Sequence, residues 1–261
     1  MTTQSGVTKA GIVRGEGSLV PVLQEALQKL DSPTSWLEQH GRALKSEQAG
    51  TVGLLELAGQ DCYIKFFCAR SRVQRLGFAL GLSRAARAFD AGLSLAKTGL
   101  PVAQPLACLR LPDAMVLLTT AIHGTDLKAL WLSQREEDDW TLIMSRAAAT
   151  LARLHGEGFV HGDCKWGNLL WDGSEVVMVD LDGVQRSTST RRQGRDLARF
   201  VLNAEELSVD KEIFETFVSV YAKSTGSAKT AVIELLAPVL VQLRRRHKDK
   251  YGQRGVRLVG E

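Results

Sequence analysis

The stretch HGDCKWGNLLWDGSEVVMVDLDG at 161–183 concentrates the polar residues whose types and spacing suit one kind of chemistry. It contains the pattern H-G-D-x-K-x-x-N and then an apolar run that ends at Asp180. Phosphoryl transfer needs a carboxylate at the acceptor hydroxyl and a cation near the transferred group, and these roles suit Asp163 and Lys165. A neutral amide and a second carboxylate can hold Mg²⁺ against phosphates, which suits Asn168 and Asp180. The segment therefore predicts phosphoryl transfer.

The alternative interpretation of this stretch is a polar loop with a few capping residues. Five defined positions, followed at the expected distance by a strand that ends in Asp, favour chemistry over capping. A kinase site also needs an upstream amine, and the apolar run CYIKFF at 62–67 supplies Lys65. A lone buried ammonium is costly, and the α- and β-phosphates of ATP would offset that cost. The alternative is a lysine exposed at a strand edge.

Two groups of elements must position these residues. In the first half, short apolar runs predict four strands, at 51–57, 61–67, 106–111 and 114–120, with a hairpin turn at Gly59-Gln60. The periodicity also predicts a helix at 19–30 and one long basic helix at 70–96, which the segment TGLPVAQP ends. In the second half, helices are predicted at 139–157, 194–203 and 229–246, with a short strand at 175–179. A strand-rich half before a helix-rich half predicts an α+β protein with a cleft.

Composition excludes several classes of protein. The chain has 261 residues, of which 44% are hydrophobic and 24% are charged, and these values are typical of a globular protein. The N-terminal MTTQSGVTKAG lacks the features of a signal peptide, and the apolar stretch 231–243 is too short to span a membrane. The four cysteines form no C-x-x-C pair, which argues against a zinc cluster. We therefore expect a soluble cytoplasmic protein with reduced thiols.

Several of these segments resemble the protein-kinase-like superfamily, and most closely its lipopolysaccharide kinase family, which phosphorylates Kdo or heptose of the inner core. The similar segments are YIKF at 63–66, SRAARAFDAGLSLAKTGLPVAQP at 83–105, LLTTAIHGTDL at 117–127, LARLHGEGFVHGDCKWGNLL at 151–170, VVMVDLDG at 176–183 and GRDLARF at 194–200. The resemblance implies a bilobal kinase fold, with a small sheet-rich N-lobe at 1–121 and a larger helical C-lobe at 122–261. It also implies ATP and Mg²⁺ as cofactors.

The resemblance assigns a role to each matching residue. It implies that Asp163 is the catalytic base, that Lys165 stabilises the γ-phosphoryl group, and that Asn168 and Asp180 are the metal ligands. Lys65 would bind phosphate, and the segment 119–122, with Thr120 and Ile122, would form the hinge beside the adenine. His161 would brace the loop, Asp196 would anchor the loop's backbone to the helical lobe, and Asp182 would be either a second acidic contact or a surface charge.

The sequence departs from the kinase pattern in two places. Kinases pair the strand lysine with a glutamate on the next helix, and the expected position holds Ala88. Either Asp90 replaces that glutamate on a shifted helix, or the ion pair is missing and the chain is a weak kinase or a pseudokinase. No clear G-x-G-x-x-G precedes Lys65, so Gly50 and Gly53 are the glycines available to cover the phosphates.

Basic residues cluster in two segments. The segment 70–87 has five arginines and no acidic residue, and the segment 244–261 has seven basic and two acidic residues. They either contact lipopolysaccharide phosphates or the anionic inner membrane, or form solvated helix faces. Nucleic acid is not expected as a partner, because no recognised binding motif is present.

The motifs predict an ATP-dependent kinase, and the resemblance implies a sugar of the lipopolysaccharide core as acceptor, in the cytoplasm or peripherally at the inner face of the inner membrane. The alternatives are a kinase for another small-molecule or protein acceptor, and a pseudokinase scaffold in lipopolysaccharide assembly. The sequence does not select the sugar or the hydroxyl.

Overall fold

The structure is a computed structural model that describes residues 11–15, 17–47, 50–252 and 255–260. These residues form two compact units. Unit 1 holds the residues up to Ser94 together with Ala103–Ala121, and unit 2 holds Leu95–Val102 and the residues from Ile122 onward. The chain crosses between the units at three places, after Ser94, after Val102 and after Ala121.

Unit 1 is built on a six-stranded antiparallel sheet with the strand order β1-β5-β6-β4-β3-β2. The strands are β1 (Gly11–Gly15), β2 (Gly41–Glu47), β3 (Gly50–Leu57), β4 (Gln60–Cys68), β5 (Pro105–Arg110) and β6 (Ala114–Thr120). The four predicted strands are therefore found as β3 to β6. The hairpin between β3 and β4 turns at Ala58 and Gly59, one residue earlier than predicted, and both residues have positive φ, as such tight turns require.

The two faces of this sheet are covered by different helices, because successive strand residues point to opposite faces. On one face, Ile64 and Phe66 pack in a core with residues of α1 (Leu19–Ala26) and α2 (Pro33–His40). On the other face, Phe67 packs against a cluster that includes Ala88 and Phe89. Lys65 follows the same alternation as Phe67 and therefore lies on the second face.

The basic segment 70–96 is two helices, so the prediction of one long helix is wrong. The helices are α3 (Arg72–Ala79) and α4 (Arg84–Lys97). Gly81 separates them with φ +70, and the amides of Gly81 and Leu82 donate to the carbonyls of Phe78 and Gly77. This is the Schellman pattern that commonly ends a helix at glycine. Ser83 then starts α4, because its hydroxyl accepts a hydrogen bond from the amide of Ala86.

Unit 2 is mostly helical. Its helices are α5 (Leu127–Ser133), α6 (Trp140–Gly156), α7 (Thr190–Glu206), α8 (Lys211–Thr225) and α9 (Lys229–Tyr251). Its strands are short, namely β7 (Thr125–Asp126), β8 (Phe159–Val160), β9 (Leu169–Trp171), β10 (Val176–Met178) and β11 (Gln185–Arg186). Within the described ranges, no single helix combines the length and the apolar composition needed to cross a bilayer, although α8 and α9 together meet that test as a pair bent by 111°.

Candidate active site

The loop after β8 presents the carboxylate of Asp163 among polar side chains of unit 2. The amine of Lys165 lies 3.1 Å from one carboxylate oxygen, and Nδ2 of Asn168 lies 3.3 Å from the same oxygen. That amide also donates to the backbone carbonyl of Asp163, at 2.9 Å. The guanidinium of Arg199 binds the other carboxylate oxygen. Since the Asp163 side chain is still 36% exposed, its carboxylate is oriented yet accessible.

Arg199 is the residue of this site that sequence reasoning missed. It lies on α7, three residues after Asp196, so both side chains lie near one face of the helix. Its side chain is 27% exposed, and its Nε is buried without a hydrogen-bond partner in the described structure. The i, i+3 spacing from Asp196 in GRDLARF was the available signal. The contact identifies Arg199 as a positioning residue for Asp163.

We expect Arg199→Met to lower turnover about 10- to 100-fold while leaving the KM for ATP near that of the parent, because one charge-assisted hydrogen bond to Asp163 is lost. Arg195→Met is the matched control, since Arg195 is an exposed arginine on the same helix. Steady-state kinetics and thermal melting of both variants test this expectation. Equal turnover of the two variants would show that the contact of Arg199 does not position Asp163.

Asp196 ties the loop backbone to α7, as predicted. Its carboxylate is 1% exposed and accepts hydrogen bonds from the amides of His161, at 2.5 Å, and of Gly162, at 2.8 Å. Nε2 of His155 lies 3.5 Å from the same carboxylate, and Nδ1 of His155 lies 2.7 Å from the hydroxyl of Tyr221. Three elements thus fix the loop, namely α6, α7 and α8.

His161 braces the loop, as predicted, and does not face solvent. Its ring is fully buried, with Nε2 3.1 Å from the carbonyl of Val179 and Nδ1 3.4 Å from the amide of Asp163. Nε2 therefore donates and Nδ1 accepts, so the ring links the Asp163 loop to the chain that precedes Asp180. Gly162 brings the same two segments together, because a Cβ there would lie 2.6 Å from the carbonyl oxygen of Gly183.

Asp180 follows β10 by two residues and lies next to Asn168 through the backbone. The amide of Val179 donates to the carbonyl of Asn168, at 3.0 Å. Asp180 has φ +58, a left-handed conformation that aspartate adopts more readily than most residues. The carboxamide of Asn168 and the carboxylate of Asp180 therefore belong to two segments of unit 2 that are joined by a backbone hydrogen bond.

The donor chemistry of Asn168 and Asp180 fits Mg²⁺. Because Nδ2 of Asn168 is bonded to Asp163, its Oδ1 is left as an acceptor that receives no hydrogen bond from any described residue. Carboxylate and amide oxygens suit Mg²⁺, which commonly takes one or two protein ligands and completes its shell with phosphates and water. No cluster of three or more His, Cys, Asp or Glu side chains among the described residues forms a protein-only metal site.

The remaining predicted ligands belong to unit 1. Lys65 is half-buried on β4, with its amine 5.0 Å from the centroid of the Phe67 ring. Gly50 and Gly53 lie within β3, where a Cβ would meet the carbonyl oxygens of Phe66 and Arg42 at 2.0 Å and 2.7 Å. Strand packing thus accounts for both glycines. Their role over the phosphates, and the role of Lys65, stay predictions.

Asp90 forms an ion pair with Arg14, a residue of β1. The Nε of Arg14 lies 3.0 Å from one oxygen of Asp90, and Nη2 lies 3.5 Å from the other. Ala88, at the position expected for glutamate, is 2% exposed. The structure therefore gives Asp90 a cationic partner that the sequence did not suggest, and its pairing with Lys65 stays a prediction.

The predicted hinge is tied to its neighbours in unit 1 at Thr120 and Ala121. The amide of Thr120 donates to the carbonyl of Gln104, at 2.9 Å, and the Thr120 hydroxyl accepts from the amide of Gln104, at 3.0 Å. The amide of Ala121 donates to the carbonyl of Asp61, at 3.0 Å. Ile122 begins the next part of unit 2. Contact of Thr120 and Ile122 with an adenine stays a prediction.

Packing below the loop explains the other residues that the motif contains. Trp166 is fully buried and contacts Trp131, Trp140 and Phe200, so it belongs to the core although it lies within the loop. Cys164 is also fully buried. Burial raises the pKa of its thiol well above the usual range, and the carboxylates of Asp196 and Asp163 raise it further. Cys164 is therefore a packed thiol and not a nucleophile.

Comparisons with known proteins show what this chain is similar to. A model of the lipopolysaccharide kinase (Kdo/WaaP) family matches residues 28–221. The solved structure "WaaP in complex with acyl carrier protein" is similar with a TM-score of 0.60 and 17% identity, over 84% of this chain and 93% of that chain. This likeness confirms the predicted α+β kinase-like fold. The BubR1 kinase domain is similar with a TM-score of 0.41 and 13% identity, over 56% of this chain and 47% of that domain.

One curated protein is similar in sequence. It is the "Probable bifunctional tRNA threonylcarbamoyladenosine biosynthesis protein" of Methanothermobacter thermautotrophicus, 26% identical over 168 residues. The match covers 63% of this chain and 30% of that protein. The chain therefore spans less than a third of this relative's length.

Proposed function

This chain belongs to the lipopolysaccharide kinase (Kdo/WaaP) family, and on that premise we propose that it transfers the γ-phosphoryl group of ATP to a hydroxyl of a heptose or Kdo sugar in the lipopolysaccharide inner core. The observation that carries the proposal is the arrangement around Asp163. Its accessible carboxylate is held by Lys165, Asn168 and Arg199. Asn168 and Asp180 carry side-chain oxygen donors, and the backbone bond from Val179 to Asn168 joins their two segments. Such an arrangement suits catalysis by positioning and electrostatics.

In the proposed mechanism, Asp163 accepts a hydrogen bond from the sugar hydroxyl and takes its proton as the oxygen attacks the γ-phosphorus in line. The new O–P bond forms while the bond from the γ-phosphorus to the β,γ-bridging oxygen breaks, and ADP leaves with that electron pair. Lys165, whose amine is 3.1 Å from Asp163, offsets charge on the transferred group. Mg²⁺, when bound by Asn168 and Asp180, supplies positive charge to the phosphates.

The nucleotide ligands of unit 1 complete the proposal. Lys65 would bind the α- and β-phosphates, with Gly50 and Gly53 over them, and backbone groups at Thr120 and Ile122 would hold the adenine. Asp90 on α4 would replace the kinase glutamate and pair with Lys65. The acceptor is a sugar at the cytoplasmic face of the inner membrane, so the protein works in the cytoplasm and contacts that membrane peripherally.

A second candidate function rests on α4. Kinases use a glutamate to hold the phosphate-binding lysine, and here Ala88 is buried while Asp90 is engaged by Arg14. A chain without that ion pair could bind nucleotide and act as a scaffold in lipopolysaccharide assembly. A measurement of phosphate transfer to an acceptor distinguishes the scaffold from the kinase, because a scaffold binds ATP without consuming it.

Phosphate analysis of the core oligosaccharide tests the proposal. A deletion strain is expected to lose one phosphate monoester from a heptose or Kdo residue, and the parent gene is expected to restore it. Complementation with the Asp163→Asn gene is expected to leave the phosphate missing. An unchanged phosphate content in the deletion strain would rule out the core sugar as acceptor. Restoration by the Asp163→Asn gene would instead favour the scaffold.

A further inference from the structure

The helix α3 of unit 1 presents apolar side chains to solvent. Val73, Leu76, Leu80 and Leu82, which we call the apolar stripe, are 78%, 62%, 65% and 73% exposed. At 100° per residue, Val73, Leu76 and Leu80 fall within about 60° of one another around the helix axis. Single exposed apolar side chains are ordinary, whereas four neighbouring ones form a patch that indicates an interaction site.

The stripe is held outward by an ordered helix. At its start, the hydroxyl of Ser71 accepts a hydrogen bond from the amide of Gln74, and Oε1 of Gln74 accepts one from the amide of Arg70. At its end, Gly81 provides the Schellman cap. Phe78 lies on the opposite side of the helix and packs against the cluster of α4 and the sheet. The stripe therefore cannot turn inward without unwinding α3.

Arginines lie before α3, at its first residue and in the first turn of α4. Arg70, Arg72, Arg84 and Arg87, which we call the arginine cluster, are all exposed. The nearby carboxylates are already engaged, because Asp113 pairs with Arg75 at 2.8 Å and Asp90 pairs with Arg14 at 3.0 Å. In the described structure no ion pair involves Arg70, Arg72 or Arg87. The cluster therefore carries net positive charge beside an apolar surface.

A cavity of about 650 Å³ lies between α3 and α4, and Leu82 is the stripe residue that lines it. Three members of the arginine cluster line it, namely Arg70, Arg84 and Arg87, together with Phe78 and Leu82. The cavity therefore joins cationic and apolar groups. A phosphate could bind the arginines there while an attached acyl chain lies along Phe78 and Leu82.

We propose that the apolar stripe and the arginine cluster dock this protein on an anionic phospholipid bilayer, with the stripe inserted among acyl chains and the arginines bound to lipid phosphates. The charge favours an anionic partner. The position of the stripe favours a bilayer over an acidic protein, because Val73, Leu76 and Leu80 project from one face of a short helix, as in helices that lie in a membrane interface. This surface would make the peripheral membrane contact of the proposed function. The docking proposal rests on that function only for the biological role of the contact.

Vesicle co-sedimentation of the full chain, without ATP or sugar acceptor, tests the docking surface separately from the kinase activity. The parent is expected to bind vesicles of phosphatidylethanolamine with phosphatidylglycerol, and to bind phosphatidylcholine vesicles at least tenfold more weakly. Leu76→Ser with Leu80→Ser is expected to weaken binding at least tenfold. Arg72→Gln with Arg87→Gln is expected to weaken it roughly fivefold per arginine and to reduce its salt dependence. Leu44→Ser with Leu132→Ser is the matched control, since both leucines are exposed elsewhere.

Three outcomes would overturn the proposal. The first is a parent that binds no vesicles, which includes the case of a surface that binds only an acidic protein. The second is equal vesicle binding by the parent and the Leu76→Ser, Leu80→Ser variant. The third is release of the bound parent by millimolar glycerophosphate, which would identify a soluble phosphate as the ligand. Binding kept in the control and lost in the stripe variant supports it, whatever the catalytic activity proves to be.

Discussion

Asp163→Asn is expected to lower ATP-dependent transfer to the core oligosaccharide by about 10³-fold, within the range found for removal of a general base. The amide has nearly the shape of the carboxylate but cannot take the proton of the acceptor hydroxyl. The loop is expected to stay folded, because Asp196 and His161 hold its backbone independently of this side chain. Binding of MgATP is therefore expected to change only a few-fold.

The control for Asp163→Asn is Asp172→Asn. The carboxylate of Asp172 accepts hydrogen bonds from the amides of Ser174 and Glu175 within an exposed turn. Its replacement is expected to leave transfer within about twofold of the parent. Transfer measured with γ-labelled ATP and dephosphorylated core oligosaccharide distinguishes the two variants. An Asp163→Asn protein as active as the Asp172→Asn control would remove the catalytic role of Asp163.

Asp196→Ala is expected to have the largest effect on stability, a loss of about 3–5 kcal/mol in the free energy of unfolding. The change removes two charge-assisted hydrogen bonds and leaves the amides of His161 and Gly162 without their acceptor. It also removes the carboxylate beside the buried ring of His155. The midpoint of denaturant-induced unfolding, followed by circular dichroism, measures the loss.

Asp210→Ala is the control for this second substitution. Asp210 precedes α8 as its N-cap residue, is exposed, and makes no capping hydrogen bond through its side chain. Its replacement is expected to cost less than about 1 kcal/mol. If the Asp196→Ala protein unfolds at the same denaturant concentration as the Asp210→Ala protein, the anchor does not hold the loop as its geometry indicates.

The grouping of polar side chains around Asp163 could be predicted because the motif is local. Asp163, Lys165 and Asn168 lie within six residues, and their contacts follow from one loop and one short turn. Arg199 could not be placed in the same way. Its contact with Asp163 depends on how α7 packs beside the loop, and sequence periodicity gives the face of a helix but not the neighbour of that face.

The same limit explains the results in unit 1. The partner of Asp90 is Arg14, which belongs to β1, a strand that the sequence analysis does not predict, so the pairing β1-β5 that brings it near α4 is not predicted either. The break between α3 and α4 was readable in principle. Gly81 is of a type that ends helices, and Ser83 is of a type that starts them. The prediction of one helix over 70–96 gave these two residues too little weight.

The proposed function requires Lys65 and Asp180 to bind one and the same nucleotide. Calorimetric titration of MgATP into the parent, Lys65→Met, Asp180→Asn and the double variant tests it most directly. We predict that each single change weakens binding about tenfold or more, and that the double change weakens it by less than the product of the two, because both residues act on one set of phosphates. Unchanged MgATP affinity in the Lys65→Met protein would contradict the claim.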